Sequence, residues 1–177
     1  MVPRRLFTLL LLAGCAGPID RPDGGTDGGA ARWPDGTLEL GGEDPNGGGF
    51  IALPPQVNAT PGAQGGYHVP VLYRVTGEAL GGVLFEHRVR RGRDDTLVSK
   101  GGRLLDVGPV AAGERWTTPG AVIIFICPTP VGVSVVGEEL IFEVTASKDR
   151  EVLGRASGRA VFACPAGDSF CDSICRG

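Results

Sequence analysis

Tyr67-His68-Val69-Pro70-Val71-Leu72-Tyr73-Arg74-Val75 carries an apolar or aromatic side chain at every odd position. Successive side chains on a strand point to opposite faces, so Tyr67, Val69, Val71, Tyr73 and Val75 share one face. A period of two with a partly polar second face predicts a half-buried antiparallel strand. The pattern repeats down the chain. Val83-Leu84-Phe85-Glu86-His87-Arg88-Val89-Arg90 turns Val83, Phe85 and Val89 inward and Glu86, Arg88 and Arg90 outward. Val122-Ile123-Ile124-Phe125-Ile126-Cys127 is apolar on both faces and reads as a central strand. Residues 140–146 and 159–164 read as two more, and 37–40, 104–107 and 115–118 as shorter ones. Glycine and proline punctuate the gaps, as in Pro61-Gly62, Gly81-Gly82, Gly101-Gly102 and Pro119-Gly120. About seven to nine short strands at this spacing predict an all-β fold, an antiparallel β-sandwich that is immunoglobulin-like in architecture. The Cys…Trp…Cys pattern of true immunoglobulin domains is absent from the sequence.

The N-terminus is organised differently. Arg4 and Arg5 precede Leu6-Phe7-Thr8-Leu9-Leu10-Leu11-Leu12-Ala13. A spanning helix needs about 20 apolar residues. This run is too short for that but suits the apolar region of a secretory signal peptide. Gly14 and Cys15 follow, and Leu12-Ala13-Gly14-Cys15 resembles the lipobox of bacterial lipoproteins. The resemblance covers the first 15 residues. It implies cleavage after residue 14, lipidation of Cys15 by diacylglycerol and acylation of the new amino terminus. Several acyl chains hold a protein on a membrane where one holds it only marginally. In that family an Asp after the Cys favours the inner membrane. Ala16 stands there, so the resemblance implies the outer membrane.

Beyond Cys15, residues 16–36 are rich in Gly, Asp and Pro, as in Asp20-Arg21-Pro22-Asp23-Gly24-Gly25. They have little to bury and read as a flexible, disordered linker, of which 20 residues reach about 25 Å. Residues 1–14 are thus a signal peptide, 15–36 a lipidated Cys with its linker, and 37–177 one β-sandwich domain with a disulfide-rich tail. Lys and Arg number 17 against 20 Asp and Glu. Losing Arg4 and Arg5 with the signal leaves a mature chain more acidic still. That balance argues against nucleic acid, which calls for a basic stripe.

Lipidation of Cys15 accounts for the odd member of five cysteines. Cys127, Cys164, Cys171 and Cys175 remain, and an exported chain meets an oxidising compartment, so two disulfides are expected. Three pairings exist. Cys127–Cys164 with Cys171–Cys175 is the favoured one, because the first joins two predicted strands and the second closes a short loop. Only Cys171 and Cys175 have zinc-like spacing, with no His near them, so no metal site is expected. No cofactor is expected either.

Gly62-Ala63-Gln64-Gly65-Gly66-Tyr67-His68-Val69 is the most distinctive stretch of the domain. It resembles a Gln-Gly-Gly-aromatic-His stretch of bacterial lipoproteins with small β domains, a resemblance that brings no activity with it. Gln64, Tyr67 and His68 are candidate binding residues, since amide, aromatic and imidazole groups together suit sugars or peptides. The alternative is a tight bend whose paired glycines allow positive φ and close backbone approach. His87 lies in phase with Val83, Phe85 and Val89 and reads as a sheet-facing histidine with one nitrogen bonded. Arg88, Arg90, Arg91 and Arg93 before Asp94 and Asp95 read as a solvated hairpin end, partly self-neutralised. Gly132-Val133-Ser134-Val135-Val136-Gly137 misses the serine-hydrolase elbow by one residue. No linear catalytic motif appears. The sequence therefore predicts a membrane-anchored envelope lipoprotein, a non-catalytic binding or structural module contacting protein or glycan. The alternatives are an envelope hydrolase with a spatially assembled site and a purely architectural spacer.

Overall fold

The computed structural model describes Trp33 and residues 37–44, 49–75, 80–109, 116–117 and 121–177. The expected signal peptide, Cys15 and the linker apart from Trp33 lie outside the described residues. The strands are β1 (Leu38–Glu43), β2 (Phe50–Ala52), β3 (Gln56–Asn58), β4 (Thr60–Pro61), β5 (Tyr67–Val75) and β6 (Leu80–Arg91). They continue with β7 (Leu97–Pro109), β8 (Trp116–Thr117), β9 (Val122–Cys127), β10 (Glu139–Lys148) and β11 (Glu151–Ala163), and one short helix follows, α1 (Ser169–Ile174).

Two layers pack face to face. One is β2-β1-β5, with β4 and β9 also paired to β5; the other is β7-β6-β10-β11-β3. Among the described residues every pairing is antiparallel except β11 with β3. At one flank Gly108 and Pro109 pair with β8, and β8 pairs with β5, so the ladder turns the corner between layers. The fold is an all-β sandwich, as the alternation predicts.

The core follows the period of two. Tyr67, Val69, Val71, Tyr73 and Val75 are all buried. Tyr73 stacks on Phe85 across the layers, with ring centroids 5.0 Å apart and planes 21° from parallel. Phe142 and Leu140 of β10 and Phe162 and Leu153 of β11 complete the centre, each fully buried. Each such side chain contributes roughly 1.5–3 kcal/mol of burial. Trp33 packs its ring on Gly154, and its backbone N–H donates to the Leu153 carbonyl at 2.6 Å.

Four readings need correction. β9 is not central: among the described residues it pairs only with β5, and its outward side chains Ile123 and Phe125 are 36% and 54% exposed. An apolar run on both faces does not distinguish a covered strand from one that leaves an apolar face in water. Arg91 is buried rather than solvated, at 5% exposure, where its guanidinium bonds Asp94 and donates to the Ser134 carbonyl at 2.9 Å. Neither nitrogen of His87 is hydrogen-bonded among the described residues, and its ring lies over Gly101, where a Cβ would stand 2.8 Å from Cε1.

The fourth correction concerns the cysteines. All four pair, but as Cys127–Cys175 and Cys164–Cys171. The reason is α1. Asp168 caps it, accepting from the Cys171 N–H at 3.0 Å. Four residues apart, Cys171 and Cys175 share one helical face, with their sulfurs 3.7 Å apart. That face meets the end of β11 at Cys164 and the end of β9 at Cys127. The helix is stapled to both strand ends, and the two strands are not stapled to each other.

The turn between β6 and β7 carries a pH-dependent element. Hydrogen bonding from Arg91 holds the Asp94 carboxylate well below the usual carboxylate range, with Thr96 adding a second donor. Folding depresses this pKa, so the contribution is present above the unfolded carboxylate's value of about 3.9 and is lost as pH falls below it. In urea titrations Asp94→Asn is expected to be less stable than the parent at pH 7, with the gap narrowing as pH falls from about 4. A gap equal at pH 7 and pH 3 would show that the charge on Asp94 does not matter.

Candidate functional site

The candidates Gln64, Tyr67 and His68 do not converge. Residues 62–66 form a tight turn, with Gly62 N–H to the Gly66 carbonyl at 2.7 Å and Gly65 at φ +83°. A Cβ on Gly66 would stand 2.7 Å from the Cys127 carbonyl oxygen. Both glycines are thus needed as such, one for its backbone angle and one for close approach to β9. Tyr67 then turns inward. Its hydroxyl donates to Asp168 Oδ2 at 2.5 Å, and its ring faces Phe170 with centroids 6.2 Å apart. The bond to Asp168 raises the pKa of the Tyr67 hydroxyl. The Asp168 carboxyl is lowered, first by the Cys171 N–H and then by Tyr67. Tyr67 therefore ties β5 to α1 and is not available to a ligand.

His68 points to the other face, edge-on to Phe125 with centroids 5.9 Å apart. Its Nδ1 is buried without a hydrogen-bond partner among the described residues, and burial lowers its pKa. Gln64 is exposed and lines a cleft of about 310 Å³ with Phe125, Val98 and Pro128. One candidate therefore reaches a cleft, one lies beside Phe125, and one is buried against the helix.

The larger concavity lies elsewhere, on the face of the β7-β6-β10-β11 sheet. It is an open trough of about 990 Å³. The backbones of His87, Gly101, Val144 and Ala156 supply its floor, and the side chains of His87, Val144 and Ala156 face the core side. Above them stand Arg88, Lys100 and Arg155, with the carboxylates of Glu86 and Glu143 and the hydroxyls of Thr145 and Ser157. Strand register sets the order. Arg88 lies between Lys100 on β7 and Glu143 on β10, and Glu143 lies opposite Ser157 on β11. Glu86 and Arg155 flank Thr145 in the adjacent row. The carboxylate of Glu143 bonds Arg90 at 2.5 Å. Burial lowers the pKa of His87, whose ring lies beneath the floor on the core side of the sheet.

Sequence reading missed this trough. Glu86 and Arg88 read as outward-facing, but nothing in the sequence aligns them with Lys100, Glu143 and Arg155, because register across four strands is not a local property. The sulfurs of Cys164, Cys171 and Cys175 lie within 4.8 Å of one another, but each is in a disulfide, so they offer no thiolate. In comparison with known proteins, no family model matches this chain and no curated sequence matches it.

Proposed function

We propose that this chain is an envelope lipoprotein, anchored through lipidated Cys15 at the outer membrane, whose domain is a non-catalytic binding module. One observation carries the binding reading. A trough of about 990 Å³ lies on a four-stranded sheet, its polar and charged side chains set by strand register. Sites on rigid strands hold their groups in place without ordering cost at the moment of binding. The order of Arg4-Arg5, an apolar run, small residues and Cys15 supports the anchor.

A hydrolase reading has one observation in its favour, since two carboxylates, Glu86 and Glu143, line the same trough. Paired carboxylates serve glycoside hydrolysis when one can donate a proton. Here Glu143 already bonds Arg90, which favours binding over turnover.

Expression of the full chain in a bacterium with two membranes tests the anchor. The native protein is expected to lose residues 1–14, gain acyl mass and sediment with membranes, while Cys15→Ala moves to the soluble fraction. A native protein that is soluble and unacylated would overturn the anchor.

A further inference from the structure

Most described arginines of this domain have a carboxylate partner. Arg74 meets Glu39, Arg90 meets Glu143 and Asp95, Arg91 meets Asp94, Arg93 meets Glu138, Arg159 meets Glu139 and Arg176 meets Asp172. Arg88, Arg103, Arg150 and Arg155 have no ion pair among the described residues, and of these Arg88 and Arg155 line the trough. Lys100 is the third unpaired cation there.

The placement sets two cations side by side. Arg88 and Lys100 are direct cross-strand partners on one face. Like charges so placed repel, because their Cβ atoms stand only about 5 Å apart. Glu143, on the other side of Arg88, is the acid whose register would compensate, but its carboxylate is turned to Arg90. Nothing in the fold requires two cations at these surface positions. An anion seated between them would relieve the repulsion and take charge-assisted hydrogen bonds from both.

Arg155 lies two strands from Arg88 and is offset by two residues along the strand. Strand spacing and rise place their backbones on the order of 12 Å apart. Glu143 and Thr145 of β10 lie between these two cationic points, and Glu86 and Ser157 stand at the other two corners. This order suits a ligand with separated anionic groups and hydroxyl donors between them. A planar anionic membrane or a nucleic acid presents a denser negative field, which Glu86 would repel. No Phe, Tyr or Trp lines the trough, so the stacking platform that commonly serves a neutral sugar is missing.

We propose that the trough binds an acidic polysaccharide, one carboxylate or sulfate seated on Arg88 and Lys100 and the next on Arg155. This rests on the binding-module reading and supplies its ligand class. The test uses the full acylated chain in non-ionic detergent, titrated calorimetrically with sodium polygalacturonate, neutral dextran and anionic phospholipid vesicles. Polygalacturonate is expected to bind, to weaken as salt rises, and to be recovered uncleaved. Arg88→Ser with Lys100→Ser is expected to raise Kd at least tenfold, and Arg155→Ser severalfold. The double variant removes a repulsion at exposed positions, so its melting temperature should hold or rise, which separates lost binding from lost fold.

Dextran binding as tightly as polygalacturonate, with loss in the variants, would overturn the acidic ligand and leave the module reading intact. Binding to vesicles alone would reassign the cations to lipid headgroups and overturn the proposal. Polygalacturonate binding unchanged in both variants would overturn the proposal by moving the site elsewhere. No binding of any probe would remove the module reading as well.

Discussion

Cys127→Ser is expected to lower the stability of the domain by about 4 kcal/mol. The Cys127–Cys175 bridge spans a sequence separation of 48 residues. Closing a loop of that length removes about 4 kcal/mol of chain entropy from the unfolded state, against about 2.5 kcal/mol for a loop the size of Cys164–Cys171, whose separation is 7. A domain of this size has only about 5–15 kcal/mol of net stability. The change should therefore lower the melting temperature by on the order of 10 °C. Thiol alkylation identifies the connectivity at the same time. Cys127→Ser should expose one new thiol, at Cys175, after unfolding without reductant. Labelling at Cys164 instead would restore the pairing favoured by strand logic and contradict the stapled helix. Replacing Cys164 and Cys171 together should cost roughly half as much as Cys127→Ser.

Phe85→Ala should be comparably severe, at about 3–5 kcal/mol. Phe85 is 1% exposed on β6, and Tyr73, fully buried on β5, stacks on it from the other layer. Truncation leaves a cavity at the junction of the layers and removes an aromatic pair worth about 1 kcal/mol beyond its buried area. Phe85→Leu keeps much of the volume and should cost clearly less. Urea unfolding followed by both circular dichroism and tryptophan fluorescence should give one coincident transition in each variant, because the two layers share this core. A cost below 1 kcal/mol for Phe85→Ala would mean that the layers are not packed through this pair.

The long strands were legible because each alternates over many residues. Tyr67–Val75 needs no context beyond its own nine side chains. The short strands β2, β3 and β4, of three, three and two residues, carry no period to read. They exist because neighbouring strands offer them backbone partners, as Val161, Phe162 and Ala163 do for β3. The helix was illegible for a related reason. Ser169–Ile174 is less than two turns long, and isolated helices of that length do not form by propensity. Its cap at Asp168, the Tyr67 hydroxyl and two disulfides hold it in place. Missing the helix led directly to the wrong cysteine pairing.

The candidate site divides along the same line. The local claim about Gly65 and Gly66 was available from the sequence, since a backbone angle and a close approach are properties of a turn. The proposal that Gln64, Tyr67 and His68 act together was not. Tyr67 and His68 are sequence neighbours on a strand and must face opposite ways. The trough draws on β6, β7, β10 and β11, and only their register brings its charges into one surface.

The register of β5 also gives the domain two poles. Leu38, where β1 begins, lies beside Val75, while Tyr67 at the opposite end lies beside Cys127 and contacts α1. Nine residues of strand put these ends about 26 Å apart. The proposed tether, Cys15, precedes Leu38 in the chain and so joins the domain at that end. At the other pole, a protease cut anywhere between Cys127 and Cys175 leaves its two fragments joined through the disulfide of these residues. A cut among the strands before Cys127 meets no such bridge.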